Sequence, residues 1–263
     1  MTTDSRPPAG RPAEPPPEIE GYRIIENLGH GGTSSVWKAE QVSLNRPVVI
    51  KILSESLSRV KADIDAFQSE ARIAAALKHP GIVQVYDFGL ARAGRRYYFV
   101  MEYISGYSVG DWIRRKGKIS EPEALLVVHG VADALKFAWA QSRVVHCDIK
   151  PDNIMVDGDG SVKVTDLGLA RPFRTSVQSH ADSDDAMVTG TPNYMAPEQI
   201  RGDAPLDCRT DIYALGASLH HMVTGQLPFG DSPPAVVLER RLKESLDYPQ
   251  KVNPDVLELI RGK

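Results

Sequence analysis

The chain has little cysteine, no long apolar run and no excess of basic residues. Its two cysteines, Cys147 and Cys208, form no C-x-x-C pair, which argues against a zinc site or a disulfide framework and favours a reducing compartment. No stretch approaches the roughly 18 apolar residues of a membrane-spanning helix, and the N-terminus has no apolar signal core. The formal net charge of −3 gives no indication of nucleic acid or an anionic membrane as a partner. These absences together predict a cytoplasmic globular protein.

Residues 1–18 are rich in proline and poor in large apolar side chains. Such a composition cannot bury enough surface to offset the entropy lost on ordering, which predicts a disordered tail. A proline-rich ligand for a recognition module is the alternative interpretation of this segment. The chain is 42% hydrophobic. Residues 19–263 are therefore numerous and apolar enough to form one large domain or two units with their own cores.

The N-terminal half reads as strands around one helix. The segments YRIIENLG, HGGTSSVWKAEQ, RPVVIKIL, LKHPGIVQVYDFG and YYFVMEY predict a five-stranded antiparallel sheet that ends near residue 102, with a helix over residues 58–78. A glycine-rich loop at residues 29–34 joins the first two strands, and glycine there lets backbone N–H groups approach an anion. No G-K-[ST] follows and no helix opens after the glycines, which argues against a Walker A loop and a dinucleotide fingerprint. A hairpin without a ligand remains the alternative.

Two charged residues stand among apolar ones in this half. Phe67, Ala71, Ala74 and Leu77 recur at helical spacing, and Glu70 falls on the same stripe. An inward carboxylate needs a cation because an unpaired buried charge is strongly destabilising. Lys51, inside the β-branched run VVIKIL, is the candidate partner; the alternative is a lysine whose stem follows a strand edge.

The stretch VVHCDIKPDNIMV at residues 144–156 places charged groups between apolar ends. It follows a predicted helix over residues 120–141, where Ser120 and Glu123 fit a capping box. Two short hairpin strands are predicted near 154–156 and 162–164, with Asn153 before the first and Asp166 after the second. An amide oxygen and a carboxylate could share a cation such as Mg²⁺ there. Turn capping is the alternative, because Asx residues favour turns.

The ordered set of motifs over about residues 21–260 resembles the eukaryotic-like Ser/Thr protein kinases that are common in bacteria. The resemblance implies an α+β bilobal fold with a small N-lobe at about 19–102, a hinge at 102–105 and a larger, mostly helical C-lobe at 106–263. It implies transfer of the γ-phosphoryl group of ATP to Ser/Thr hydroxyls of proteins in signalling, with Mg²⁺, or alternatively Mn²⁺, as the metal. ATP and protein substrates are the implied partners, with self-association where the chain phosphorylates itself.

The resemblance assigns three sets of residues. The catalytic set has Asp148 as the base, with Lys150, Lys51, Glu70 and Thr191, and the metal set is Asn153 and Asp166. Asp211 is implied to brace the catalytic loop. The nucleotide-binding set is Gly29, His30, Gly31, Gly32, Ser34, Val36, Val49, Lys51, Met101, Glu102, Ile104 and Met155.

The sequence departs from the family pattern at four positions. Cys147 stands where the family has an arginine that pairs with a phosphorylated activation-segment residue. We therefore expect little dependence of activity on phosphorylation of the segment. Ser34 replaces the third loop glycine, Val49 replaces an alanine and is expected to raise the Michaelis constant for ATP, and Leu167 replaces the phenylalanine of D-F-G. The candidate phosphorylation sites in the segment are Thr175, Ser176, Ser179 and Ser183.

The family arginine that pairs with the MAPE glutamate, here Glu198, would lie beyond Lys263. The expectation is that Glu198 is unpaired and that C-terminal helices are missing. The sequence then belongs to a longer protein, which could be membrane-anchored, or to a short form that needs a partner. A pseudokinase or scaffold is the alternative function, although Lys51, Asp148, Asn153 and Asp166 are all kept. GTPNYMAPE argues against small-molecule acceptors. Trp139 is predicted to be a core residue.

Overall fold

The computed structural model describes residues 16, 18–91, 95–167, 192–203, 205–245 and 253–261. It separates into two compact units. The first contains the described residues up to Phe67 together with Tyr86–Tyr103, and the second contains Gln68–Val85 and the described residues from Ile104 onward. The predicted tail, apart from residues 16 and 18, lies outside the described residues, as do Thr191 and the four candidate phosphorylation sites.

The first unit is built on a five-stranded sheet, and this confirms the predicted architecture of the N-terminal half. The strand order is β1-β2-β3-β5-β4, and the β1–β2, β2–β3 and β3–β5 pairs are antiparallel. The strands are β1 (Tyr22–His30), β2 (Ser34–Gln41), β3 (Arg46–Leu53), β4 (Val85–Ala91) and β5 (Arg96–Glu102).

The two faces of this sheet have different roles. One face carries a buried apolar cluster that includes Trp37, Ile50 and Val100. Residues directly opposite each other share a face, as do residues two apart on one strand. Val36, Lys51 and Phe99 are opposite one another on β2, β3 and β5, and Val49 is opposite Met101. The other face therefore presents five side chains together: Val36, Val49, Lys51, Phe99 and Met101.

Helix α1 (Lys61–Ala76) starts later than the sequence predicted, because a 3₁₀ turn at Leu57–Arg59 precedes it. The predicted apolar stripe is buried, with Phe67, Ala71, Ala74 and Leu77 each at most 7% exposed. The ring of Phe67 lies 5.0 Å from that of Phe99, so the start of the helix packs on the second face of the sheet. This contact fixes the start of α1 against strand β5.

The second unit is mostly helical, as predicted. In the ranges that the structure describes, no helix has both the length and the apolar character needed to cross a bilayer. Helix α3 begins with the predicted capping box of Ser120 and Glu123. The helices are α2 (Val109–Lys116), α3 (Glu121–Ser142), α4 (Pro197–Arg201), α5 (Cys208–Thr224), α6 (Pro234–Lys243) and α7 (Pro254–Arg261).

A small sheet of order β6-β7-β8 accompanies these helices. Strands β7 (Ile154–Val156) and β8 (Val162–Val164) confirm the predicted hairpin, whereas β6 (Tyr107–Ser108) was not predicted. A Cβ added to Gly106 would lie 1.8 Å from the carbonyl oxygen of Val156. The chain that enters β6 therefore passes β7 at a distance that only glycine permits.

The core of the second unit is formed by the inward stripe of α3 and by most of α5. Ala124, Val127, Val131, Ala134 and Ala138 follow helical spacing on α3 and are buried. The prediction that Trp139 is a core residue is wrong, because its side chain is only partly buried and the guanidinium of Arg143 lies 5.0 Å from its ring. Trp139 follows Ala138, the last residue of the buried stripe of α3, so its side chain points towards the edge of the core.

Candidate active site

His146 anchors the start of the polar loop between α3 and β7. Its side chain is 1% exposed, and its Nδ1 accepts the backbone N–H of Asp148 at 3.2 Å. Because Nδ1 is an acceptor, the ring proton lies on Nε2, which donates to the carbonyl oxygen of Thr165 at 2.9 Å. The ring thus connects the polar loop to the residue before Asp166.

Asp211, in the first turn of α5, braces the same loop as predicted. Its carboxylate oxygens accept the backbone N–H groups of His146 at 2.7 Å and of Cys147 at 2.8 Å. Burial raises the pKa of Asp211, and the two backbone N–H donors oppose that rise. Cys147 has a φ of 65°, a left-handed conformation that is costly for a residue with a side chain. The two bonds to Asp211 hold the loop in this conformation.

Asp148, Lys150 and Asn153 meet within this loop. The Nζ of Lys150 lies 2.8 Å and 3.2 Å from the two carboxylate oxygens of Asp148. The amide nitrogen of Asn153 donates to Oδ2 of Asp148 at 2.9 Å and to its carbonyl oxygen at 2.8 Å. The side chain of Asp148 is 47% exposed, whereas that of Lys150 is 18% exposed. A hydroxyl from outside can therefore reach a carboxylate that two neighbours already orient.

The geometry around Asn153 fits an oxygen-preferring cation. Both described hydrogen bonds of its amide use the nitrogen, so the amide oxygen points away from Asp148. Its backbone carbonyl accepts the backbone N–H of Thr165 at 3.0 Å, which brings the residue before Asp166 to Asn153. No three His, Cys, Asp or Glu side chains form a metal cluster in the described part of the chain. A cation between Asn153 and Asp166 would thus need further oxygen ligands from substrate or water, as Mg²⁺ commonly does.

The glycine-rich loop has room on its outer side. A Cβ at Gly29 would meet no described atom within 4 Å, and one at Gly31 would meet only the carbonyl oxygen of Ser34 at 3.6 Å. Neither glycine has a positive φ. The described chain therefore gives no steric or conformational reason for glycine at these two positions. Close approach of a phosphate to the backbone would supply one, so the residues fit a nucleotide.

The predicted Lys51–Glu70 ion pair and the predicted nucleotide-binding set each combine residues of both units, and both stay predictions. Lys51 and Glu70 belong to different units, and Nζ of Lys51 lies 5.5 Å from the centre of the Phe99 ring. Val36, Val49 and Met101 share the face that carries Lys51, whereas Ile104 and Met155 belong to the second unit. His30 and Gly32 lie at the β1–β2 turn, Ser34 starts β2 and Glu102 ends β5.

Glu198 has a hydrogen-bond partner that the sequence did not indicate, since the Thr210 hydroxyl donates to its Oε1 at 2.8 Å. That hydroxyl carries no charge, so the expected lack of a cationic partner for Glu198 stays a prediction. Threonine at the start of α5 gave no sequence signal of this contact. Gln199 was also missed. Its Nε2 donates to the carbonyl oxygen of Cys147 at 2.9 Å, and its Oε1 accepts the N–H of Ala196 at 2.9 Å. One side chain therefore connects the start of α4 to the polar loop.

Cys147 is expected to be an unreactive thiol. Burial, with the negative charges of Asp211 and Asp148, raises its pKa to about 12, and the thiolate is the reactive form. At about pH 8, iodoacetamide should leave Cys147 unmodified in the folded chain and alkylate it fully after denaturation, as peptide mass spectrometry would measure. Rapid alkylation in the folded chain would show that this environment is wrong.

Comparison with known proteins gives a consistent result. Residues 22–262 match the family model described as protein kinase domain. The chain is 41% identical over 221 residues to the serine/threonine-protein kinase PknB of Mycobacterium tuberculosis, covering 83% of this chain and 35% of that protein. It is 37% identical over 242 residues to the serine/threonine-protein kinase PrkC of Bacillus subtilis, covering 92% of this chain and 36% of that protein. The chain thus spans about a third of the length of these curated relatives.

Proposed function

Because the chain belongs to the protein kinase domain family, we propose that it transfers the γ-phosphoryl group of ATP to serine or threonine hydroxyls of proteins. The observation that carries this proposal is the meeting of Asp148, Lys150 and Asn153 in one loop. Relatives named serine/threonine-protein kinases support the choice of acceptor. No observation favours the nucleotide-binding scaffold that the sequence left open.

Phosphoryl transfer asks the protein mainly for alignment and for charge neutralisation. Asp148, half exposed and oriented by two neighbours, accepts the proton of the incoming hydroxyl and aligns its oxygen. Lys150 places a positive charge beside the incoming hydroxyl oxygen. There it neutralises the negative charge that accumulates on the transferred phosphoryl group. Asn153 and Asp166 would hold Mg²⁺, which supplies further neutralisation of the phosphate charge when bound; Mn²⁺ offers the same oxygen preference.

The second face of the first unit's sheet is the proposed nucleotide surface. Val36, Val49 and Met101 give it apolar contacts for an adenine ring, and Lys51 gives it a cation for phosphates. Backbone groups at Glu102 and Ile104 would bond the edge of the ring, and Met155 would contact its other side. Lys51 would pair with Glu70, and Thr191 would help shape the acceptor site. An apolar pocket with a few polar groups is typical of small-molecule sites.

The proposed partners follow from this chemistry. ATP and proteins with Ser/Thr hydroxyls are the substrates, and a second copy of the chain can be an acceptor when it phosphorylates itself. We propose the cytoplasm as the place of action because ATP is supplied there. The proline-rich residues 1–18 are proposed to be a tail outside the kinase domain.

The direct test is label transfer from ATP. The purified chain would be incubated with radiolabelled γ-phosphate ATP, Mg²⁺ or Mn²⁺ and a generic basic protein, beside the Lys51→Met variant. Label should appear on the chain and on the basic protein with the unmodified chain only. A folded chain that binds ATP and yields no label with either metal would contradict the proposal.

Phosphorylation of the activation segment should matter little for turnover. Cys147 offers no cation to a phosphate on Thr175, Ser176, Ser179 or Ser183, all of which lie outside the described residues. Phosphatase-treated chain should therefore retain most of its initial rate on the basic protein. A mock-treated sample is the control, and loss of most of the turnover after treatment would reject this expectation.

A further inference from the structure

Arg241 on α6 is buried, and no carboxylate of the described residues pairs with it. Its side chain is 3% exposed, and its guanidinium lies 5.1 Å from the Tyr213 ring and 5.2 Å from the Phe229 ring. Its two terminal nitrogens donate to the carbonyl oxygens of Asn193 and Met195. No described carboxylate contacts it, and its Nε lacks an acceptor among the described atoms. The cation is thus held by backbone carbonyls and ring faces.

Such a cation is expensive to bury, because no carboxylate among the described residues offsets the cost of its desolvation. Burial lowers the pKa of Arg241 to about 10, so the side chain still carries its charge at neutral pH. Arg241 stands four residues after Val237 on the inward stripe of α6. An apolar residue at this position would avoid the desolvation cost, so the arginine needs a reason beyond packing.

Geometry supplies that reason. The planar fork of an arginine can donate to two acceptors at fixed separation, which a lysine ammonium cannot reproduce. Its two acceptors bracket Tyr194, whose hydroxyl hydrogen-bonds Nδ1 of His221 at 2.6 Å. The amide of Asn193 donates in addition to the carbonyl oxygens of Pro228 at 2.7 Å and Gly230 at 2.9 Å. Residues 192–195 are therefore fixed against the turn before α6 and against α6 itself.

The same segment continues into the polar loop. The backbone N–H of Ala196, directly after Met195, bonds to Gln199, and Gln199 bonds to the carbonyl oxygen of Cys147. Cys147 immediately precedes Asp148. A continuous set of hydrogen bonds and covalent neighbours thus leads from the guanidinium on α6 to the proposed catalytic carboxylate.

We propose that Arg241 is a positioning residue that sets residues 192–201 against the loop of Asp148, so that a protein acceptor is aligned with the carboxylate. The inference rests on the proposed function and identifies α6 as the element that positions the acceptor side. Arg241 has no proposed role in nucleotide binding. The described contacts of Arg241 are with residues 192–195, with α5, and with the turn between α5 and α6.

The first test measures positioning without catalysis. Amide hydrogen exchange over residues 192–201 would be compared in the unmodified chain, Arg241→Met and Arg241→Lys. Lys243→Met is the matched control, since Lys243 is an exposed cation on α6 that contacts Glu239. Exchange over 192–201 should rise in both Arg241 variants and stay unchanged in the control. Unchanged exchange in Arg241→Met, or a rise in the control as well, would overturn the proposal. If Arg241→Met fails to fold, Arg241→Lys decides.

The second test separates acceptor alignment from general damage. With a basic protein acceptor, kcat/KM should fall by about ten- to a hundredfold in the Arg241 variants, because small misplacements of reacting groups cost rates of that order. The Kd for ATP and the slow hydrolysis of ATP by water should stay near those of the unmodified chain. An equal fall in acceptor phosphorylation and ATP hydrolysis would overturn the proposal. If the unmodified chain transfers no label, the proposed function fails, while the exchange result still judges whether Arg241 holds the segment.

Discussion

Replacing Asp148 by asparagine will lower phosphoryl transfer to a protein acceptor by about a hundredfold to ten-thousandfold, the range that general acid–base catalysis contributes. The amide cannot take the hydroxyl proton. It also loses the charge that holds Nζ of Lys150 at 2.8 Å, and one rotamer would turn an amide nitrogen towards that of Asn153. Initial rates of label transfer, measured at saturating ATP, check this prediction.

The matched control is Asp65→Asn. Asp65 is an exposed carboxylate on α1 that pairs with Lys61, and it has no place in the proposed site. Its variant should transfer label at the unmodified rate. The Kd for ATP should be nearly the same in both variants, since Asp148 has no proposed contact with nucleotide. An Asp148→Asn protein with near-normal rates would remove the proposed base.

The second large effect is expected at Asp211, on stability as well as on rate. Asp211→Asn keeps one acceptor oxygen but presents an amide N–H₂ to the backbone N–H of either His146 or Cys147. Leaving a buried donor unsatisfied should lower the free energy of unfolding by about 1–3 kcal/mol. Since these bonds hold Cys147 in its left-handed conformation, the rate of transfer should fall too. Urea unfolding followed by tryptophan fluorescence gives the first quantity, and label transfer gives the second.

Asp207→Asn separates this effect from a general weakening of α5. Asp207 caps the same helix and accepts the backbone N–H of Arg209 at 2.9 Å, and asparagine is nearly as good a cap. Its variant should keep stability and rate close to those of the unmodified chain. If Asp211→Asn is as stable and as active as Asp207→Asn, the loop does not depend on the buried carboxylate.

The regular elements were predictable because their signals are local. Five strands alternate with turn residues, and Ser120 with Glu123 marks the start of α3 within a few positions. Strand β6 was not predictable in the same way, since its two residues carry no period. The start of helix α1 was predicted too early, because the residues of the 3₁₀ turn at Leu57–Arg59 are also compatible with an α-helix. Trp139 was misplaced because one helical position, about 100° of rotation, separates a core residue from an edge residue.

In the candidate site, too, the features with a local sequence signal were predictable and the others were not. The loop that holds Asp148, Lys150 and Asn153 is contiguous, so its motif could be recognised without knowing the fold. The Thr210–Glu198 and Gln199–Cys147 contacts join residues that are 12 and 52 positions apart, and neither pair shares a period or a motif. Arg241 lies between these cases. Its spacing from Val237 places a cation on an inward face, which is the signal that singled out Glu70.

The close passage of Gly106 past Val156 has a consequence for variation of this sequence. In a library that samples every amino acid at each position, residue 106 should tolerate glycine alone, because a methyl group would overlap a carbonyl oxygen on a rigid strand. A Cβ at Gly29 would meet open space, so alanine should be accepted there in a selection for folding. Alanine at this position should be rejected only in a selection for activity. A deep mutational scan read out twice would therefore separate a glycine that the fold requires from one that the reaction requires.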